Sequence, residues 1–203
     1  MRTLVRLAVA AFVAGTGAAS AETPDRSVPD PAAATDAFRA TYREQCHSAF
    51  DGAMFDGQKP EVHRLEWTPD YEGAEPQSYT LYGFNCDLGA YNVSSVWMLG
   101  TRYDGIVPLA FAHPQASYEY EDEEETRLRS HTLQGIEASL RLVNAEFDPA
   151  SATMTARSAW RGLGDASAVG TWRFEGEGFS LVRYEVDPTY DGEIGPMVTL
   201  FGE

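Results

Sequence analysis

The spacing of hydrophobic residues follows a helical period near the N-terminus and a two-residue period after position 50. Phe38, Tyr42 and Cys46 recur at every fourth position, so they share one face of a helix. Thr35 or Asp36 can cap the first turn of that helix through its side-chain oxygen. The pattern predicts a single helix that begins at this cap and ends near position 50.

Beyond that helix the chain consists of short segments of alternating apolar and polar residues, separated by turn-forming residues. Asp104-Gly105 and Asp148-Pro149-Ala150-Ser151 are turn sequences that join neighbouring segments into hairpins. The predicted strands cover residues 79–84, 93–99, 106–111, 139–147, 153–160, 171–174, 179–184 and 196–201. Because helical periodicity does not return, the expected fold class is mainly β (α+β), an antiparallel sheet or sandwich of short strands and hairpins with an N-terminal helix.

The first residues have the composition of a secretory signal peptide. Arg2 and Arg6 precede a short apolar run, and Ala19-Ser20-Ala21 supplies small residues where a signal peptidase cleaves. The apolar run is shorter than the roughly 20 residues that a membrane-spanning helix needs. We therefore expect a periplasmic or secreted protein, with a signal peptide at 1–21 that is cleaved before Glu22. The mature chain should consist of a flexible leader at 22–34 and a single β-rich domain at 35–203. We expect no transmembrane segment in the mature chain.

The charge of the chain restricts its partners. It has 15 basic and 31 acidic residues and a net charge of −16 at pH 7, which argues against nucleic acid or an anionic membrane as partner. The charge is typical of an acidic surface in a salty medium; the alternatives are a basic partner protein and a bound cation. Six of the seven residues at 119–125 are acidic, and we expect them in a solvated loop or at the start of a short helix, with cation binding as the alternative.

Two cysteines, Cys46 and Cys86, are present. In an oxidising compartment an isolated pair of cysteines usually forms one disulfide. On the chain-entropy model, closing this loop stabilises the fold by roughly 4 kcal/mol. The alternative is a redox or nucleophilic thiol. We favour the structural bridge because the sequence has no Cys-x-x-Cys motif.

The sequence contains no recognisable catalytic, metal-binding or cofactor-binding motif. The histidines at positions 47, 63, 113 and 131 lack the spacing of a zinc-binding pair. Asp187 begins a segment with the opening of a calcium loop, but Val198 occupies the position of the bidentate carboxylate. We therefore expect no catalytic residue, no metal ligand and no cofactor.

The segment Arg161-Gly162-Leu163-Gly164-Asp165, here called the glycine loop, combines two glycines with an acid–base pair. Glycines permit backbone angles that other residues avoid. In one interpretation Arg161 holds a carboxylate or phosphate of a ligand and Asp165 orients the guanidinium. In the other, which we favour because no second catalytic group is nearby in sequence, the two side chains form an ion pair that fixes the loop.

Several segments occur along the chain in a distinctive order. They are Cys86-Asp-Leu-Gly-Ala-Tyr-Asn92, Leu142-Val-Asn-Ala-Glu-Phe-Asp-Pro149, the glycine loop, Trp172-Arg-Phe-Glu-Gly-Glu-Gly-Phe-Ser-Leu181 and Asp191-Gly192. Over about 79–201 this order resembles an exported bacterial family, domain of unknown function 1176. The resemblance implies an exported, β-rich protein and no established reaction.

The chain also departs from that family pattern. Ala166 and the segment before Gly192 replace two cysteines of the family, which implies the loss of one disulfide. Ala159 stands where the family usually has a basic residue, which argues against an anion site built from a Lys/Arg pair on the glycine loop.

Three functions remain open at this point. The first is a non-enzymatic binding or interaction module for a small ligand or a protein, with Arg161, Asp165, Tyr91 and Asn92 as the candidate ligand-binding residues. The second is an inhibitor of a basic secreted enzyme such as a cell-wall hydrolase, which the acidic charge would attract. The third is a hydrolase whose carboxylates Asp87, Asp165 and Glu193 are assembled only by the fold.

Overall fold

The computed structural model describes residues 29–51 and 57–202, so the predicted signal peptide and most of the predicted leader lie outside the described residues. The elements are α1 (Pro31–Tyr42), α2 (His47–Phe50), β1 (Glu61–Trp67), β2 (Gln77–Leu88), β3 (Val93–Thr101), β4 (Gly105–Pro108), β5 (Phe111–Tyr120), β6 (Leu128–Ser139), β7 (Leu142–Val143), β8 (Ala145–Asp148), β9 (Thr153–Ala159), β10 (Ser167–Phe174), β11 (Phe179–Asp187) and β12 (Val198–Phe201). The predicted mainly β fold with an N-terminal helix is confirmed. In the described ranges no helix is long and apolar enough to cross a membrane.

Helix α1 begins at Pro31 with its cap at Asp30, five residues before Thr35, the earlier of the two predicted caps. The carboxylate of Asp30 accepts a hydrogen bond of 2.8 Å from the backbone N–H of Ala33, and Pro31 occupies the first turn, where its missing N–H costs nothing. Residues 31–34, which we had expected in the leader, are therefore helical. The prediction of one continuous helix is also wrong, because the chain leaves the helix after Tyr42 and resumes it only at His47.

The first sheet has the strand order β1-β2-β3-β4, and β7 also pairs with β3. Its two central strands bury side chains on both faces. Leu81, Trp97 and Leu99 belong to one core cluster, whereas Phe84 and Met98 belong to a second cluster with α1 and α2. Because side chains alternate along a strand, the helices lie against the outer face of this sheet.

The second sheet has the order β12-β11-β10-β9-β8 and covers the other face of the first. The rings of Tyr79 on β2 and Phe174 on β10 meet edge to face with centroids 5.4 Å apart. His63 on β1 and Phe147 on β8 pack at 4.8 Å. The two sheets thus form a sandwich with its main core between them.

Strands β5 and β6 form a separate two-stranded ribbon. Phe111 anchors its base in the sandwich core, while β6 is exposed along nearly its whole length. The tip of the ribbon at 121–127 contains most of the acidic residues of 119–125. It is largely exposed, in agreement with the predicted solvated loop. Tyr120 donates a hydrogen bond of 2.9 Å to the carbonyl of Pro188, so the tip is attached to the connection after β11.

The strand predicted at 139–147 is interrupted. Asn144 adopts a positive φ of 46° between β7 and β8, so that β7 pairs with the first sheet and β8 with the second. The residue therefore lies where the chain crosses from one sheet to the other. Asparagine is one of the few residues besides glycine that tolerate this conformation.

Candidate functional site

The glycine loop is held by a fully buried carboxylate. Asp165 accepts a hydrogen bond of 2.7 Å from the Nε of Arg161, another from its Nη2, and one of 2.9 Å from the backbone N–H of Gly192. The Arg161 guanidinium lies 5.2 Å from the centre of the Tyr190 ring. Hydrogen bonds from Arg161 in particular keep the pKa of Asp165 far below its ordinary value, so the carboxylate is ionised.

These contacts connect the glycine loop to the connection between β11 and β12. The buried oxygens of Asp165 are already occupied by groups of the chain, and Gly164 takes a positive φ of 77° that a side chain would disfavour. Arg161 and Asp165 form an ion pair, as the favoured interpretation of the loop requires. A role of Arg161 and Asp165 in holding a ligand stays a prediction.

The other two predicted ligand-binding residues lie beside this loop. Tyr91 donates a hydrogen bond of 3.2 Å to the carbonyl of Trp160, and a Cβ atom at Gly162 would lie 3.4 Å from its ring. The Nδ2 of Asn92 donates to the carbonyl of Ala159 at 2.7 Å, and its Oδ1 accepts from the N–H of the same residue at 3.3 Å. The fold therefore brings all four residues to one end of the sandwich, where Asn92 extends the hydrogen bonding of β9.

The three carboxylates of the hydrolase hypothesis have different surroundings. Asp87 accepts hydrogen bonds from the backbone N–H of Ser48 at 2.9 Å and from Arg141 at 3.0 Å. Glu193 is exposed and follows the Gly192 that binds Asp165. Within the described residues, no hydrogen bond or ion pair joins Asp87 to either of the other two carboxylates. Nor does that part of the chain hold three His, Cys, Asp or Glu side chains grouped for a metal ion.

A cleft of about 460 Å³ lies between the β5–β6 ribbon and the second sheet, and we call it the aromatic cleft. Its walls consist of aromatic rings, small apolar residues and a few polar groups. The lining includes His113, Tyr118, Trp160, Trp172 and Tyr184, with Arg141 at one side. The volume is within the roughly 300–1,000 Å³ of small-molecule sites.

His113, one of the residues that line this cleft, has a buried polar atom. Its Nε2 atom is buried and has no hydrogen-bond partner among the described residues. The imidazole lies between two rings, with centroids 5.3 Å from Trp172 and 5.6 Å from Tyr184. Burial lowers the pKa of His113, and the charge of Glu137 opposes this only in part, so the ring is neutral at pH 7.

The aromatic rings around His113 are fixed in position. The indole N–H of Trp172 donates a hydrogen bond of 2.9 Å to the carbonyl of Ala112, which orients the ring between sheet and ribbon. Tyr118 packs against Trp160 with ring centroids 6.1 Å apart. Burial raises the pKa of both Tyr118 and Tyr184, so their hydroxyls remain protonated and can donate hydrogen bonds.

The cleft is electrically almost neutral. Arg141 is the charged residue of its lining, and the guanidinium is bound by the Asp87 carboxylate at 3.0 Å and by the carbonyl of Gln45. The remaining lining groups are uncharged at pH 7. An ionic ligand would therefore lose its hydration here without gaining an opposite charge.

The aromatic cleft was not predicted from the sequence. One wall is formed by β5 after Phe111, a stretch that the alternation pattern did not predict as a strand, and none of the four predicted ligand-binding residues lines the cleft. One available signal was the pair of aromatic residues Trp172 and Tyr184 on adjacent strands. The position of His113, however, follows only from the docking of the ribbon onto the second sheet.

Comparison with known proteins gives a family but no activity. Residues 9–197 match the family described as "Protein of unknown function (DUF1176)". The chain is also similar to the "Uncharacterized protein YpfG" of Escherichia coli (strain K12), with 32% identity over 113 residues that cover 55% of this chain. The chain spans only 28% of that relative's length. No solved structure matches the chain. Since the family match covers most of its residues, as the resemblance in the sequence indicated, this protein belongs to the DUF1176 family.

Proposed function

We propose that this protein is an exported, periplasmic binding protein that holds a small uncharged molecule in the aromatic cleft. The observation that carries the proposal is the buried Nε2 of His113, a hydrogen-bonding atom of a cleft-lining residue that has no partner among the described residues. Buried polar atoms in proteins are normally hydrogen-bonded. A ligand in the cleft would supply the missing partner.

The chemistry of the walls supports an uncharged ligand with both an apolar face and hydrogen-bonding groups. Trp160 and Trp172 offer flat apolar surfaces, while the hydroxyls of Tyr118 and Tyr184 are protonated. Neutral sugars and neutral aromatic amides share these two properties. A formally charged molecule would find only the occupied Arg141 guanidinium.

Binding is a better-supported role than catalysis at this cleft. In hydrolases that use histidine as a base, the imidazole is hydrogen-bonded to a nucleophile and oriented by a carboxylate. The buried Nε2 of His113 has no hydrogen bond to a nucleophile among the described residues, and the Glu137 opposite it on β6 is exposed. This supports a recognition function for the imidazole.

Export to the periplasm is part of the same proposal. The signal-like residues 1–21 support it, and the disulfide between Cys46 and Cys86 is typical of a protein from an oxidising compartment. Cleavage before Glu22 would leave the described fold complete from its helix cap onward.

A pair of adjacent substitutions tests the binding function. Ala116 lines the cleft, whereas Ser117, the next residue on β5, is exposed and is absent from the lining. Ala116→Trp should fill the cleft and Ser117→Trp should leave it open. Tryptophan fluorescence would be titrated with neutral disaccharides and with neutral aromatic amides.

We expect a saturable fluorescence change with at least one of the two probe sets in the native protein. The Ser117→Trp variant should retain it and Ala116→Trp should lose it, with both variants keeping the native melting temperature. Equal binding by the two variants, or no saturation with either probe set, would contradict the proposal.

A further inference from the structure

A second concave surface lies at the end of the sandwich opposite the glycine loop, and we call it the end groove. Its volume is about 780 Å³. Its walls come from the connection between β1 and β2 at 68–76, the turn between β3 and β4, and the turn between β10 and β11. It shares no lining residue with the aromatic cleft.

Two aromatic side chains stand out from the walls of the end groove. Tyr71 is 65% exposed and Tyr103 is 71% exposed, although both are large and partly apolar. They lie on separate connections, one before β2 and one between β3 and β4. Exposed aromatic rings that face a common groove are typical of a recognition surface, since their faces attract apolar groups and cations.

The end groove is acidic. Its lining includes Glu75, Asp104 and Glu177 against one basic residue, Arg102. The connection at 68–76 adds two further acids and has no lysine or arginine. The local charge therefore has the same sign as the net charge of −16 of the whole chain. Such a surface attracts cationic groups and repels anionic ones.

The acidic residues of the end groove come from different connections, but two of them lie near the same side chain. Asp104 and Glu177 both lie close enough to the buried Tyr79 hydroxyl to raise its pKa, in addition to the larger effect of burial. The turn that carries Glu177 packs tightly on the first sheet, because a Cβ atom at Gly176 would lie 2.5 Å from the Trp67 ring. The turn that carries Glu177 is thus held against the first sheet.

We propose that the end groove binds a lysine- or arginine-bearing segment of a basic partner protein. The carboxylates of Glu75 and Glu177 would pair with the cationic groups, and the rings of Tyr71 and Tyr103 would contact the side-chain stems and the guanidinium faces. A protein segment fits better than a single small cation, because the volume and the two separated rings provide more contact area than one ammonium group can use. This site is independent of ligand binding in the aromatic cleft.

The test compares three double variants that differ in position and charge. Glu75→Gln with Glu177→Gln removes two charges from the end groove. Glu123→Gln with Glu124→Gln removes the same charge from the exposed tip of the ribbon, as the matched control. Tyr71→Ala with Tyr103→Ala removes the rings and leaves the charge unchanged. Binding of a labelled Arg-Gly repeat peptide would be followed by fluorescence anisotropy at low salt, and melting temperatures would confirm that each variant is folded.

We expect the glutamine variant of the groove and the tyrosine variant each to weaken peptide binding by about fivefold or more. The variant of the ribbon tip should weaken it less than twofold, the size expected for a screened charge at a distance. Equal weakening by the groove and tip variants would show attraction by the overall charge alone and would overturn the proposal. Unchanged binding by the tyrosine variant, equal affinity for free spermidine, or no binding of the peptide by the native protein would overturn it as well.

Discussion

The Asp165 carboxylate has no exposed surface and is nevertheless ionised, because Arg161 and the N–H of Gly192 hydrogen-bond its oxygens. Arg161→Ala would leave this carboxylate buried without its cation, and Asp165→Ala would leave the guanidinium and the N–H unpaired. We expect both single variants to lower the melting temperature. The double variant should cost less than the sum of the two, as a double-mutant cycle of unfolding free energies would reveal.

The same ion pair makes stability depend on acid pH. The folded pKa of Asp165 lies below its ordinary value of 3.8, so the stabilisation is complete above that value and is lost as the pH falls below it. Without Arg161 the folded pKa of Asp165 rises, so Arg161→Ala should be less stable than the native protein at neutral pH and should lose less stability as the pH falls below 3.8. Native stability in both single variants would show that the pair exists for a ligand and not for the fold.

At the scale of elements, the crossing from β7 to β8 depends on one asparagine. The Nδ2 of Asn144 donates to Asn92 at 2.9 Å and to the carbonyl of Arg157 at 3.0 Å, and its Oδ1 accepts from Val93 at 2.9 Å. Together with the φ of 46°, these bonds hold the two sheets in register at this end.

Asn144→Gly and Asn144→Ala separate the side-chain bonds from the backbone conformation. Asn144→Gly should destabilise the fold by about 1–3 kcal/mol, because it removes the bonds and keeps the backbone relaxed. Asn144→Ala should cost roughly 1 kcal/mol more, since alanine disfavours positive φ. Urea unfolding of both variants measures the difference. Equal stability of the two would show that the backbone conformation is not under constraint.

Hydrophobic alternation predicted several strands and hairpins of the two packed sheets, but it missed β1. The turn at Asp104-Gly105 and the hairpin of β10 and β11 are examples, and Trp172 and Phe174 are both buried as expected. It also missed β5 after Phe111 and β6 before Ser139, and β6, which is exposed along its length, has no buried face to impose alternation. It also failed at Asn144, where a change of sheet is a tertiary event without a hydrophobic signature.

The candidate sites also differ in whether they could be predicted from the sequence. The glycine loop could be found from sequence, because glycines and paired charges within five positions are a local signal. The aromatic cleft and the end groove could not, since each assembles residues from three or more connections or strands. Their chemistry depends on which loops share an end of the sandwich.

Over the whole molecule, the Cys46–Cys86 disulfide connects the helical layer to the first sheet, closing 40 residues. Both cysteines are fully buried in the cluster under α1, beside Phe38 and Phe84. The bridge therefore secures the helices on the sheet.

Removal of this bridge should destabilise the protein without unfolding the sandwich core. We expect Cys46→Ser with Cys86→Ser to cost about 2–5 kcal/mol in unfolding free energy, measured by urea denaturation of the exported protein. Reduction of the native disulfide should produce a similar loss, which serves as the control for the serine side chains. Unchanged stability would mean that packing alone holds the helices in place.

Export and the disulfide are linked, because the bond forms in an oxidising compartment and not in the cytosol. Periplasmic protein should begin at Glu22 by intact mass, and thiol labelling after denaturation should detect no free cysteine.

Since the fold described begins near the Asp30 cap, a chain expressed from Glu22 in the cytosol should have the same secondary structure by circular dichroism. It should, however, carry two reactive thiols after denaturation and melt at the lower temperature of the serine variant. Recovery of the uncleaved chain from the cytosol with its disulfide formed would contradict both the export and its link to stability.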